Sequence, residues 1–311
     1  MENNRILVVA GPTAAGKTEY AIEFANEFNG EIVSCDSMQL YKYMDIGSAK
    51  PTEEERRRAV HHLVDFLDPR EEFSVAGYQQ LATDAINDIL ARGRLPIISG
   101  GTGLYLNSLL FEMDFAGAPK DEQFRKELEK IALNEGGETL HKMLEKKDPE
   151  AAERIHPNNV KKIIRALESL KEGEENVRPF NEISKPNNAW NPLLICLHRN
   201  REELYDRINL RVDKLVEAGL VDEVRSLLGM GLTYDDISMK GIGYKEIIEY
   251  TEGLCSLEEA IENTKKNTRH YAKRQLTWFR KYDTMKWINL SEYLSEQEAK
   301  EDIKEWLRKR L

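Results

Sequence analysis

What this chain has little of narrows the field first. Its 311 residues include only three cysteines, Cys35, Cys196 and Cys255. They lie far apart, so neither a disulfide framework nor a cysteine-based metal knuckle is expected, and a reducing, cytoplasmic setting follows as the default. No apolar run approaches the ~20 residues of a membrane span. Met1-Glu2-Asn3-Asn4-Arg5 runs straight into a strand pattern, so no signal peptide is expected. Internal repeats and low-complexity tracts are also missing. There is no overall excess of positive charge: the net charge is −10, which taken alone argues against a polyanionic partner. With 41% hydrophobic and 32% charged residues the composition is that of a soluble protein, long enough for one large α/β core plus an insertion, or for two domains.

What is present is most informative near the start. Gly11-Pro12-Thr13-Ala14-Ala15-Gly16-Lys17-Thr18 fits the phosphate-loop pattern of a glycine, four free positions, then Gly-Lys-Ser/Thr. Ile6 to Ala10 before it reads as a buried strand, and Glu19 to Phe28 after it as a helix. A bare glycine turn would also join a strand to a helix, but pattern and context agree here. Such a loop aims backbone N–H groups and a helix N-terminus at one spot, which suits a phosphate or diphosphate. Lys17 adds a point charge, and the Thr18 hydroxyl suits Mg²⁺.

Three further apolar runs, Glu31–Cys35, Leu95–Ser99 and Leu193–Leu197, read as buried parallel strands. A helical stripe over Val75–Ala91, capped by Ser74, lies between two of them. The fold class expected is therefore α/β, with a phosphate-loop NTPase-like core whose parallel sheet is flanked by helices. The pattern changes near Gly117-Ala118-Pro119. From Asp121 the chain reads as helix only, through Leu140–Leu144 and Val160–Lys171, and a polar loop from Glu174 to Pro192 closes the segment. The division expected is residues 1–118 for the first part of the core, 119–191 for an all-helical insertion, and 192–311 for the second part of the core with C-terminal helices. Those helices are expected at Arg201–Ala218, Val221–Leu228, Tyr244–Tyr250 and Leu257–Phe279. The tail from Ser291 is expected to pack back on the core through Ile303, Trp306 and Leu307.

Ligands of open α/β sheets bind outside the carboxyl ends of the strands. Besides the phosphate loop, two segments end there: Asp36-Ser37-Met38-Gln39 and Gly100-Gly101-Thr102-Gly103-Leu104-Tyr105. Asp36 suits a general base or an outer ligand of Mg²⁺, and an Asp-Ser pair also caps turns. His61-His62 is poorly spaced for one metal ion, because adjacent side chains diverge, so hydrogen-bonding roles are expected. The segment Lys265–Lys281 holds Lys265, Lys266, Arg269, Lys273, Arg274, Arg280 and Lys281 without an acid among them. At helical spacing, Lys266, Arg269, Lys273 and Arg280 share a face. With Tyr271, Trp278 and Phe279 interleaved, this favours an RNA over a merely solvated helix face. Lys161, Lys162 and Arg165 make a smaller basic cluster.

Taken together, the Gly11–Thr18 loop, Asp36–Tyr41, His61–Asp65, Gly100–Tyr105, Gly241–Glu246 and Ala272–Arg280 resemble the bacterial tRNA dimethylallyltransferases. The resemblance spans nearly the whole chain. It implies transfer of a dimethylallyl group from dimethylallyl diphosphate to the exocyclic amine of the adenosine 3′ of the anticodon, with diphosphate as leaving group and Mg²⁺ as cofactor. It assigns Asp36 as base with Thr13 nearby, an arginine of the Arg207 and Arg211 region to the diphosphate, and residues 11–18 to diphosphate binding. It places contacts with the tRNA anticodon stem-loop at Asp36, Ser37, Met38, Gln39, Thr102, Arg125, Lys161, Lys162, Arg165, Gly241, Gly243, Tyr244, Lys245, Lys273, Arg274, Gln275, Trp278 and Arg280. Ala15 stands where many relatives have serine. No zinc, membrane or protein partner is implied. A free-nucleotide prenyltransferase, a small-molecule kinase and an RNA-binding switch share parts of this signature.

Overall fold

The computed structural model describes residues 4–113, 121–172 and 185–311. Two compact units are present, Met1–Leu110 with Asn187–Leu311, and Phe111–Pro186. The larger holds one sheet of six strands: β1 (Arg5–Ala10), β2 (Gly30–Cys35), β3 (His61–His62), β4 (Leu95–Gly100), β5 (Asn191–His198) and β6 (Lys286–Asn289). Their order is β3-β2-β4-β1-β5-β6, and every pairing is parallel. The α/β architecture expected from the alternating runs is thus found, with two strands the periodicity did not signal. β3 is two residues long, and β6 is the four residues Lys286-Trp287-Ile288-Asn289 behind a long helix; neither fills a window in which a period shows.

Helices α1 (Lys17–Glu27), α2 (Glu53–Arg58), α3 (Val75–Ala91) and α4 (Gly103–Leu110) belong to the first half of this unit. In the second unit lie α5 (Glu122–Glu135), α6 (Gly137–Lys147), α7 (Pro149–Arg154) and α8 (Val160–Lys171). The first unit then resumes with α9 (Arg201–Glu217), α10 (Leu220–Gly229), α11 (Tyr244–Thr251), α12 (Leu257–Phe279) and α13 (Glu296–Arg308). Ser74 caps α3 by accepting the Gly77 N–H at 3.0 Å, as its position implies. α2 has no buried residue; a capping box between Thr52 and Glu55 makes it. α4 begins inside what reads as a glycine turn.

Leu7, Val9, Phe24, Ile97 and Ile195 form the core between sheet and helices, and Ile303 and Leu307 of α13 join that cluster, with Trp306 packed against it. The tail therefore does return to the core. It is fastened by charge as well: Lys300, Lys304 and Arg308 reach Glu19, Glu23 and Glu27 of α1 at 3.0, 3.0 and 2.9 Å. The second unit has its own core of Leu128, Leu140, Leu144, Ile163 and Leu167. It runs Phe111–Pro186 rather than 119–191. The first expected boundary falls outside the described residues. The second moves because Asn187 already donates its N–H to Leu110 and Asn191 to Asn4, which ties both to the larger unit. The loop expected over 174–192 is outside the described residues up to 184, and from Asn191 it is strand.

Glu31 ties the sheet edge together. Its buried carboxylate accepts from His62 at 2.7 Å, from Arg94 at 2.7 Å and from Arg92 at 2.8 Å. The Arg92 hydrogen bonds, ahead of the opposing cost of burial, pull its pKa down to about 2. A carboxylate held below its unfolded value contributes stability above pH ~4.5, which is lost as pH falls toward ~2. Glu31→Gln is expected to lower the urea midpoint at neutral pH and to flatten its fall across that acid window. An unchanged acid limb would refute the assignment.

Candidate active site

β1, β2 and β4 end side by side, and each hands over to one of the three segments singled out in the sequence. The phosphate loop follows β1. Gly11 carries φ 155°, and a Cβ there would meet the Leu197 carbonyl of β5 at 2.4 Å, so only glycine lets the loop leave between β4 and β5. Ala14 sits at φ 63° and Gly16 at φ 103°, the latter opening α1. The Pro12 carbonyl accepts the Ala15 N–H at 3.3 Å and the Lys17 ammonium at 2.9 Å. Arg207 of α9 donates through Nε to the Ala14 carbonyl at 3.1 Å.

Asp36 follows β2. Its Oδ1 accepts the Met38 N–H at 2.9 Å, closing a local turn, while its other oxygen has no partner among the described residues. The capping and chemical readings of Asp36 are therefore compatible. Ser37 donates its N–H to Thr102 Oγ1 at 3.1 Å, and Thr102 donates its own to the Cys35 carbonyl at 3.1 Å. This close seam depends on Gly100, where a Cβ would lie 2.1 Å from the Cys35 oxygen. Gln275 of α12 joins the two glycine loops. Its Oε1 accepts the Thr13 N–H at 2.9 Å, and its Nε2 donates to the Gly101 carbonyl at 3.0 Å.

These elements enclose a cavity of about 1000 Å³. Its lining includes Thr13, Gly16, Lys17 and Thr18, Asp36 to Gln39, Gly241–Gly243, and Tyr271, Arg274, Gln275 and Arg211. Burial, the largest effect, pushes Lys17 down to about 8 against the pull of Asp36. Burial also lowers Arg211, again opposed by Asp36. Arg211 has no hydrogen-bond or ion-pair partner among the described residues. The two arginines left open by the sequence thus separate: Arg207 shapes the loop, and Arg211 faces the cavity with its donors unspent. Asp36 and the two desolvated cations Lys17 and Arg211 line one space of ligand size, an arrangement that suits an anion next to a group that loses a proton.

The expected RNA contacts sort by exposure. Lys266, Lys273 and Arg274 are exposed on α12, and Arg280 just past its end. Lys265 instead pairs with Asp213 at 2.8 Å and Glu262 at 3.0 Å, and Arg269 donates to Asn209 of α9 at 2.6 Å, so the basic face is narrower than spacing alone implies. Tyr244 is a correction: it is fully buried, and its hydroxyl donates to Glu223 at 2.8 Å. Gln275 lines the cavity, and its amide is engaged by the Thr13 and Gly101 bonds. Trp278 donates to Asn107 at 3.1 Å and stands where a Cβ on Gly103 would strike its ring. Gln39 bonds Ser34 and Ala49; Gly241 lies against Met38; Gly243 caps α11; Lys245 lies 3.4 Å from Glu246. In the second unit Lys161, Lys162 and Arg165 are exposed on α8, while Arg125 is held by both oxygens of Glu168 at 2.7 and 2.6 Å.

His62 bonds Glu31 and His61 bonds the Ala59 carbonyl, in keeping with hydrogen-bonding roles. Among the described residues no cluster of three His, Cys, Asp or Glu is placed to hold a metal, and no helix is long and apolar enough to cross a membrane. The sequence reading missed Lys50, Arg56, Thr264, Thr268 and Tyr271 as lining groups. Lys50 and Arg56 carry no motif, and Tyr271 reads as one aromatic among several in a basic helix.

Residues 39–282 match the family described as IPP transferase, and residues 4–65 that described as isopentenyl transferase. The chain is 51% identical over 289 residues to a tRNA dimethylallyltransferase of Alkaliphilus oremlandii, covering 93% of this chain and 92% of the relative. It is 50% identical to one of Acetivibrio thermocellus, covering 98% and 97%. Among solved structures it is similar to a tRNA isopentenylpyrophosphate transferase of Bacillus halodurans, with TM-score 0.74, 42% identity and coverage of 99% and 96%. It is also similar to a eukaryotic dimethylallyltransferase acting on tRNA, with TM-score 0.84, 28% identity and coverage of 99% and 81%.

An anion at the loop needs Lys17 charged, and in the free protein that charge is present below about pH 8 and lost above it. Calorimetric titration of inorganic pyrophosphate from about pH 6.5 to about 9.5 is expected to show affinity falling past pH ~8. Lys17→Met is expected to bind more weakly throughout and to lose the part of that fall not due to pyrophosphate itself. Identical pH profiles would remove Lys17 from the site.

Proposed function

The chain belongs to the IPP transferase family, and on that premise we propose that it transfers a dimethylallyl group from dimethylallyl diphosphate to N6 of the adenosine 3′ of the anticodon in tRNA, releasing diphosphate. The observation that carries the site assignment is the shared cavity, lined by Lys17, Arg211 and Asp36 alike. Ionising an allylic C–O bond builds negative charge on the departing diphosphate. The loop amides, Lys17 and Arg211 take up that charge. The N6 lone pair is delocalised into the purine, so the amine attacks well only as it loses a proton, which Asp36 accepts. Thr13 lines the cavity beside this pair.

Thr18 and Asp36 both line the cavity, and a hydroxyl with a carboxylate beside diphosphate oxygens suits a hard cation. Thr18 would hold Mg²⁺; when bound, the ion supplies further positive charge to the leaving group. A purine inside a stacked loop cannot reach Asp36, so the adenosine is turned out of its stack into the cavity. The exposed Lys266, Lys273, Arg274 and Arg280 take the phosphate backbone, as do Lys161, Lys162 and Arg165 of the second unit. The setting proposed is cytoplasmic, which the three free thiols suit.

Purified protein given labelled dimethylallyl diphosphate and an unmodified tRNA transcript is expected to label the RNA. Label in AMP but not in tRNA would move the reading to a free-nucleotide enzyme. Asp36→Asn is expected to lower kcat by about 10²–10⁴-fold with tRNA affinity within a few-fold. Near-normal turnover in that variant would end the case for Asp36 as base. Tightness of tRNA binding should drop steeply with salt, and Lys273→Ala should reduce the log–log slope by about one.

A further inference from the structure

Asp45 to Lys50 form one wall of the cavity, and nothing in the chemistry above says how that wall is held. The segment belongs to no regular helix or strand, and Tyr43 and Ala49 adopt φ 65° and 45°, which cost energy for residues with a Cβ. Lys50 holds it. Its side chain is 1% exposed. Its ammonium donates to the Tyr41 carbonyl at 2.7 Å, to Asp45 at 2.5 Å and to Asp65 at 2.8 Å. Three protons meet three acceptors, so none remains for a ligand even though Lys50 borders the cavity.

The bonds continue to the segment that carries Asp36. Asp65 gives its N–H to the Gln39 carbonyl at 2.9 Å, and Phe66 gives its own to Leu40 at 2.9 Å. The Gln39 side chain donates to the Ala49 carbonyl at 3.2 Å and accepts from Ser34 of β2 at 3.1 Å. Residues 39–41, 45–50 and 65–66 therefore close into a ring around one buried ammonium, and the Asp36 turn is the stretch between that ring and β2. The far side of the wall is held separately. There Glu223 accepts the N–H groups of Asp45, Ile46 and Gly47 at 2.8, 2.7 and 2.9 Å.

We infer that Lys50 is a positioning residue that sets the Asp36 carboxylate against the acceptor amine by cross-linking the segment after Asp36 to Asp65. The inference rests on Asp36 being the base. It also gives the His61–Asp65 motif a purpose, as the backbone partner of the segment after β2.

The test uses the full chain, a tRNA transcript and dimethylallyl diphosphate, with Lys50→Met and Asp65→Asn. Asparagine keeps an acceptor oxygen and tolerates the φ of 62° at position 65, so that variant stays folded. Single-turnover rates at saturation are expected to fall about tenfold or more, as small misplacements of a reacting group do. Affinities for inorganic pyrophosphate and for tRNA should stay within about threefold, with circular dichroism melts well above assay temperature. A wild-type rate in folded Lys50→Met overturns the inference. Loss of pyrophosphate affinity in step with rate also overturns it, by making Lys50 an anion ligand. Asp36→Asn run alongside separates the two readings. A full rate there removes the base, whereas a loss there with wild-type rates in Asp65→Asn and Lys50→Met removes the positioning role alone.

Discussion

The carboxamide of Gln275 accepts a hydrogen bond from the Thr13 N–H and donates one to the Gly101 carbonyl, so a single side chain on α12 fixes the gap between the loops after β1 and β4. The spacing admits no slack, since a Cβ on Gly101 would lie 2.1 Å from the Gln275 nitrogen. Each such bond is worth only about 1 kcal/mol net, but leaving a buried partner unsatisfied costs about 1–3 kcal/mol. The clasp therefore specifies geometry more than it adds stability. It also explains why a helix that carries cations on its outer turns turns a neutral amide inward: any charge at that point would compete with the ligand of the phosphate loop.

Around this clasp the electrostatics are deliberately unbalanced. Lys17 and Arg211 are both desolvated, repel each other, and have Asp36 as their shared counter-charge. In the proposed reaction, a diphosphate bound between them would relieve that repulsion. Preorganised charge of this kind stabilises a leaving group without reorganisation during the reaction. Arg207 contributes by shape rather than by charge at the site, through the Ala14 carbonyl.

Much of this was legible in the residues. Apolar runs gave four of the six strands because buried parallel strands are continuous and hydrophobic. The phosphate loop and Asp36 were legible because their chemistry needs particular residue types at fixed offsets. The short edge strands were not, since two to four residues hold no period. Nor were the supports. Tyr244 looks like a surface aromatic in a glycine-rich loop, and only the fold reveals that Glu223, twenty-one residues earlier, draws its hydroxyl inward. Arg269 has the spacing of its exposed neighbours on α12 but is claimed by Asn209, a contact 60 residues away in the chain. Lys50 carries no motif at all, and its three acceptors assemble only when segments 41–45 and 65 meet.

The bonds between α13 and α1 join residues 281 apart in the chain. Glu19 of α1 also has Arg58 as a partner, but Glu23, Glu27 and part of the apolar face of α1 are covered by α13, far later in the chain. β5 likewise waits for β6 on its free edge. Until α13 is made, this flank of the core is uncovered, so the packing of α1 is completed by a contact of very long sequence separation.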